Sequence, residues 1–154
     1  PELQAGVRTI LENVRRGGWD ALCRIAERLD GEIPRLVPVG PVAAEARRVL
    51  VPEAVAAMEL AADNIRRFHQ ASMPEEIMVE TVPGVTVRKV WRAIDRVGLY
   101  VPGGTSPLFS TLLMLAIPAQ VAGARDLVVA TPPRREGGLD PAVALAAELC
   151  GIEA

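Results

Sequence analysis

Apolar positions along the chain follow first a helical period and then an alternating β/α pattern. Val7, Ile10, Leu11 and Val14 recur at helical spacing, and Gly17-Gly18 ends the run. Trp19, Leu22, Ile25, Ala26 and Leu29 form a second stripe, closed by Asp30-Gly31. A proline-rich connection over 33–41 leads to a short helix predicted over 43–50. Pro52 suits the first turn of a longer helix, where a missing N–H costs nothing. The face this helix buries is predicted to be Val55, Met58, Ala62, Ile65 and Phe68.

The pattern changes near Met78. Glu80-Thr81-Val82 and 85–92 read as two strands around the turn pair Pro83-Gly84. In the second strand neither face is cleanly apolar, which predicts an exposed or edge ribbon. Val97–Val101 reads as a strand, 102–107 as a loop, and 108–122 as an apolar helix kinked at Pro118 and stopped by Gly123. Asp126–Thr131 reads as a second strand. Its consecutive Leu127, Val128 and Val129 predict a parallel strand covered on both faces. Asp140 is a fair N-cap and Pro141 a fair first residue for a helix running to Cys150, with Gly151 as its stop.

The fold class expected is therefore α/β: an N-terminal helical segment and β-ribbon leading into an incomplete Rossmann-like parallel β-α-β-α unit. Residues 1–96 are expected to form the helical segment plus ribbon, part of a first domain, and 97–154 the start of a Rossmann-like α/β domain, truncated. A β-α-β-α run calls for a further strand at about Gly151, and the chain begins with Pro1 close to a helix. Both features lead us to expect a piece of a longer protein.

Composition narrows the function classes. Half of the 154 residues are apolar, and the net charge is −2. That balance gives no reason to expect nucleic acid or a membrane surface as partner. Lys89 is the only lysine among many arginines. Cys23 and Cys150 are far apart and form no CxxC pair, so two small buried thiols in a reducing compartment are expected. The longest apolar stretch, 108–121, is interrupted by Pro118 and Gln120, and no basic, apolar leader opens the chain. The expectation is a cytoplasmic protein.

Few side chains offer chemistry. His69 is the only histidine, and two distant cysteines cannot complete a zinc site with it. No GxSxG nucleophile elbow is present. Following Phe68 on a helix, His69 reads as a surface or interface residue. Glu75, Glu76 and Glu80 read as a solvated charged segment rather than a metal or acid/base site. The loop Pro102-Gly103-Gly104-Thr105-Ser106-Pro107 between strand and helix offers backbone N–H groups to an anion. It is neither GxGxxG nor a Walker loop, and a turn needing positive φ explains it equally well. Tyr100, the only tyrosine, stands at the carboxyl end of its strand, where ligands gather in open parallel sheets. From position alone, ligand contact and an ordinary half-buried strand residue both remain open.

The segments Val97-Gly-Leu-Tyr-Val-Pro-Gly-Gly-Thr-Ser-Pro-Leu and Ser110-Thr-Leu-Leu-Met-Leu-Ala-Ile-Pro-Ala-Gln-Val-Ala-Gly resemble the signature region of the histidinol dehydrogenase family. Asn64-Ile65 with Phe68-His69, Glu80-Thr-Val-Pro-Gly-Val, Trp91-Arg92, Thr131-Pro-Pro, Leu149-Cys-Gly and Val14-Arg-Arg-Gly-Gly resemble the family in the same order along the chain. Gly18-Trp19 departs from it, where Gly followed by a charged residue is expected. The resemblance implies oxidation of L-histidinol to L-histidine through the aldehyde, with NAD and a zinc ion, by a homodimer. It places the acid/base pair and the zinc ligands beyond residue 154, so it gives no catalytic and no metal residue in this chain and implies that the chain alone is inactive. It gives one cofactor contact, Tyr100 to NAD.

Two other readings stand beside it. A paralogous dehydrogenase acting on another polar alcohol, such as a sulfonated diol, would share this segment and differ downstream. A non-catalytic binding module that ends here would lack the strand expected after Gly151.

Overall fold

In the computed structural model, which describes residues 2–103, 108–134 and 137–153, the chain divides into two units, Pro1–Leu36 and Val37–Ala154. The first unit is built on helix α1 (Glu2–Asp30), and Gly18 interrupts it at φ 55° and ψ −143°. Only glycine adopts such a backbone without strain, so the two predicted stripes are two helical stretches meeting there. Gly31, at φ 75°, closes the second.

The second unit runs α2 (Val39–Val49), α3 (Pro52–Ala71), β1 (Ile77–Val82), β2 (Val85–Lys89), β3 (Arg96–Tyr100), α4 (Phe109–Val121), β4 (Asp126–Ala130) and α5 (Pro141–Leu149). Helix α2 starts at Val39 rather than the expected Ala43 and takes in Pro41. The first-turn N–H groups of a helix have no intrahelical acceptor, so a proline there removes nothing. Pro52 opens α3 as predicted, and Met58 and Ala62 are buried with Val55 and Ile65 beside them. Phe68 departs from the expected stripe and is 69% exposed. At about 100° per residue it lies roughly 100° round the helix from the line through those four, whereas His69 falls on that line.

The ribbon β1–β2 is antiparallel, with a register shift between Glu80 and Val82, and all of its residues are exposed. Pro83-Gly84 makes the turn: Gly84 has φ 83°, and its N–H donates to Glu80 Oε1 at 2.7 Å.

Strands β3 and β4 are parallel, Arg96 opposite Asp126 through Tyr100 opposite Ala130. Val97, Leu99, Val101, Leu127 and Val129 turn to one face and join a core with Leu112, Leu113, Ala116 and Ile117 of α4, Val143–Ala147 of α5, and Val39, Ala43 and Ala46 of α2. The other face is bare. Val128, expected under cover on both sides, is 62% exposed. The alternation along β4 is thus that of a strand covered on one face, and the continuous apolar run misled because Val128 has no covering layer among the described residues.

Helix α4 carries Pro118 inside it and ends at Gly123, φ 95°. Helix α5 is capped as predicted. Asp140 Oδ1 accepts from the N–H groups of Ala142 at 2.8 Å and Val143 at 3.4 Å. After Gly151 the chain returns to α2, where the Val39 N–H donates to the Glu153 carbonyl at 2.9 Å.

Candidate functional site

Alternation along β3 decides where Tyr100 points. Leu99 and Val101 are buried against the helices, so the residue between them is thrown to the bare face. Tyr100 is 62% exposed there, at the carboxyl end of the strand. Opposite-numbered neighbours in a parallel pair share a face, so Gly98, Val128 and Ala130 lie on its side of the sheet. The ladder holds its backbone: the N–H of Val101 donates to the carbonyl of Ala130 at 2.9 Å.

Just past this crest, Gly103 lies against Pro132. A Cβ on Gly103 would stand 3.1 Å from Cγ and 3.3 Å from Cβ of that ring. The rest of the predicted anion-binding turn, residues 104–107, lies outside the described residues. Charge collects at the opposite end of the strands, where Arg96 Nε pairs with Asp126 Oδ2 at 3.0 Å and Arg125 pairs with Asp95. A shallow pocket lined by Arg96, Val97, Gly98, Asp126 and Val128 opens on the bare face toward that end. A second, lined in part by Gln120, Leu127, Cys150 and Ile152, lies at the foot of β4. Neither includes Tyr100.

The remaining candidates have structural partners. His69 is half-buried, with its ring edge-on to Phe68 at 5.4 Å and 89°. Glu80 caps the ribbon turn, Glu76 pairs with Arg88 at 3.4 Å, and the Glu75 carbonyl accepts from Trp91 Nε1 at 3.1 Å. Glu75 and Glu76 precede β1 and Glu80 lies within it, and the three are not grouped to hold a metal ion. Cys23 is half-buried rather than buried, and Cys150 is buried as expected. Burial pushes the Cys150 thiol up to about 11, with Arg66 acting weakly the other way, so it is neutral and unreactive at pH 7. Among the described residues no three His, Cys, Asp or Glu side chains are grouped to hold a metal ion.

Two contacts had no separate place in the sequence reading. Gly103 against Pro132 is signalled only by a Pro-Pro pair directly after a strand. Arg47, joining Glu59 and Glu148 across three helices, bridges a separation of 101 residues that no local pattern encodes.

The family described as histidinol dehydrogenase matches residues 1–154. The chain belongs to the histidinol dehydrogenase family. Among relatives, histidinol dehydrogenase of Xylella fastidiosa is 45% identical over 152 residues, which is 98% of this chain and 35% of that protein. The histidine biosynthesis trifunctional protein of Komagataella pastoris is 41% identical over 148 residues, 96% of this chain and 18% of that protein. The crystal structure of histidinol dehydrogenase from Elizabethkingia anophelis superposes with a TM-score of 0.84 at 35% identity, covering 98% of this chain and 35% of that one. The chain thus spans about 35% of the length of the curated histidinol dehydrogenases it matches. The resemblance read from residues 97–108 and 110–123 extends over the whole chain, and the α/β order of a histidinol dehydrogenase comes with it.

Proposed function

We propose that this chain is the N-terminal part of an NAD-dependent histidinol dehydrogenase. The complete enzyme oxidises L-histidinol to L-histidine by way of the aldehyde. The observation that carries the reading is the family match over residues 1–154, against relatives of which the chain spans about a third. In the complete protein, residues 97–154 begin the Rossmann-like domain and 1–96 belong to the domain before it. That protein is a cytoplasmic homodimer acting on a small molecule, with neither nucleic acid nor membrane as partner.

Tyr100 is the residue of this chain that meets NAD. Its ring is free on the bare sheet face, at the end of the strands where ligands of open parallel sheets lie, with small neighbours in Gly98 and Ala130. A flat aromatic in that place fits one side of a nucleotide contact and binds by stacking and through its hydroxyl. Bound NAD supplies a hydride acceptor; what this chain adds is binding and orientation. Zinc does not fit here, because the described residues offer no cluster of ligands. Its ligands and the acid/base pair belong to the rest of the enzyme.

Two measurements test the reading. The 154-residue chain, given histidinol, NAD and zinc, forms no NADH; turnover above a protein-free control overturns it. In the full-length polypeptide, Tyr100→Ala raises KM for NAD by about 5- to 30-fold, the equivalent of 1–2 kcal/mol for one aromatic contact, with zinc content unchanged. Unchanged NAD kinetics in a folded variant remove Tyr100 from the site.

A further inference from the structure

We propose that the bare face of β3–β4 is covered, in the complete polypeptide, by an apolar segment from beyond residue 154, of a size that fits one α-helix. The proposal rests on the reading of this chain as part of a longer enzyme and does not use the contact of Tyr100 with NAD. The face is made by Arg96, Gly98 and Tyr100 of β3 and by Asp126, Val128 and Ala130 of β4, all of them exposed. Charge is confined to one end, where Arg96 and Asp126 pair with each other at 3.0 Å. Above that pair Gly98, Tyr100, Val128 and Ala130 carry none. The β1–β2 ribbon, which is also exposed, is built differently. Lys89 stands opposite Ile77 on one of its faces, and Arg88 opposite Met78 on the other. A strand pair made for water carries charge on the faces that meet water. Here the middle of the face holds Val128, 62% exposed.

Gly98, opposite Val128, points the same way. It is not among the glycines at positive φ, and the register runs without a shift from Arg96 to Tyr100, so neither the backbone nor a bulge calls for glycine. A Cβ there would meet nothing within 4 Å. Glycine inside a strand weakens it, and the reason left for one is the close approach of another backbone or of a ligand. Position and size choose between them. Ligands of open parallel sheets lie outside the carboxyl ends of the strands. A cofactor there reaches Tyr100 at the crest and leaves Gly98 and Val128, in the middle of the face, uncovered. Parallel strands are joined by crossovers, as a rule helical, and such sheets carry helices on both faces. Two strands make a strip about 10 Å wide, and five residues run about 16 Å along it. One α-helix is about 10 Å across and covers 16 Å with about 11 residues. The helices of this unit serve the other face, where Val97, Leu99, Leu127 and Val129 join the core. The chain is 35% of the Xylella relative, so about two-thirds of such an enzyme is available to supply the segment.

The test is labelling by iodoacetamide of the full-length polypeptide carrying Val128→Cys, with labelled peptides identified by mass. In native buffer position 128 is expected to label at least about 100-fold more slowly than in the urea-unfolded polypeptide. Labelling near the unfolded rate overturns the proposal. Protection that appears only with NAD gives the face to the cofactor, and protection lost on 100-fold dilution gives it to a second copy; either overturns the proposal. In the 154-residue chain the same position should label readily, and protection there overturns the proposal by showing that the chain covers its own face. Gly98→Leu adds a change of opposite sign under the two outcomes. On an open face leucine fills empty space in a strand and raises Tm. Under a seated segment it overpacks and lowers Tm of the full-length polypeptide by about 3 °C or more. A raised or unchanged Tm overturns the proposal, and if Gly98→Leu does not fold, labelling at position 128 decides alone. NADH formation from histidinol keeps this proposal apart from the functional reading. Protection in a polypeptide that oxidises no histidinol upholds the covered face and removes that reading, whereas ready labelling in an active enzyme does the reverse.

Discussion

Helix α5 and the β1–β2 ribbon are both rich in apolar residues, and the fold treats them in opposite ways. Ala142 through Ala147 are all buried, because α5 lies against α2, α3 and α4. Ile77, Met78, Val79, Val82, Val85 and Val87 are all exposed, because the two strands of the ribbon pack chiefly on each other. Apolar content therefore does not decide burial. Burial requires a second surface, and a two-stranded ribbon gives each side chain a neighbour on one side only. The ribbon is held instead by polar contacts: the Glu80 cap on Gly84, the Arg88–Glu76 pair, and Lys89 Nζ 4.7 Å above the Trp91 ring.

The contrast has its largest consequence in paired truncations. Leu145 is fully buried in α5, and Val87 is 56% exposed in β2. Leu145→Ala should cost about 2–5 kcal/mol, the lost transfer energy plus that of the cavity left behind. Val87→Ala should cost less than about 0.5 kcal/mol. Urea melts of the 154-residue chain at low concentration give both values. Equal costs would mean that the ribbon is covered in solution, and the cost at Val87 would then depend on protein concentration.

The buried thiol of Cys150, just beyond α5, sharpens the same point through pH. Its pKa is raised from 9 to about 11 by desolvation. The folded state thus keeps the thiol protonated where the unfolded chain has lost the proton. Stability from this group is fully present below pH 9 and is lost as pH rises through 11. The loss should be about 2–3 kcal/mol, and Cys150→Ala should flatten that part of the stability curve. An identical alkaline slope in the variant would show that the thiol is not buried in solution.

Helix boundaries were readable wherever a local rule set them. Gly17-Gly18, Pro52, Gly123 and Asp140-Pro141 fall where backbone restrictions and capping chemistry demand, and each marks the expected break. Misreadings arose where a neighbour decides. Phe68 follows the apolar spacing but turns off the packed line, and Val128 sits in an apolar run yet meets no covering layer. Helix α2 begins earlier than the sequence predicts, because Pro41 reads as a breaker yet lies in the first turn, where it costs no hydrogen bond. The family was readable from the Val97–Gly123 stretch. The position of Tyr100 on a bare face needed the strand register and the burial of Leu99 and Val101 beside it. Only the Pro-Pro pair directly after a strand signals the contact of Gly103 with Pro132, which joins two segments that each follow a paired strand.

Within the ribbon the strongest single lever is its turn. Gly84 sits at φ 83°, where a side chain is strained. Gly84→Ala should cost about 1 kcal/mol, confined to the ribbon. Hydrogen exchange should then quicken in β1 and β2 and stay unchanged in α4 and α5. Faster exchange throughout would mean that ribbon and helices unfold as one unit.

The smallest expected effect comes from Arg47, a charged tie between helices of the cluster. Its guanidinium reaches Glu148 Oε2 through Nη2 at 2.7 Å and Nε at 3.1 Å, and Glu59 Oε1 through Nη1 at 3.1 Å. It thereby links α2 to α5 and to α3. Hydrogen bonds from Glu148 first, then Glu59, raise its pKa further above a value already beyond the working range, so pH offers no handle on the arginine. Salt does. All three side chains are more than a third exposed, which leaves water and ions free to screen the pairs. Two carboxylates on one cation, one of them held by two donors, should still contribute about 0.5–1 kcal/mol, the upper part of the range for surface pairs. Arg47→Met keeps most of the apolar stem and removes the charge, so the loss it causes reports the pairs rather than packing. That loss should shrink by about half or more in 1 M sodium chloride, where the Debye length is about 3 Å. A loss that salt leaves unchanged would assign the contribution of Arg47 to its stem. Arg47 would then join α2 to its neighbours by apolar contact, and the contrast between the helical cluster and the ribbon would be sharper.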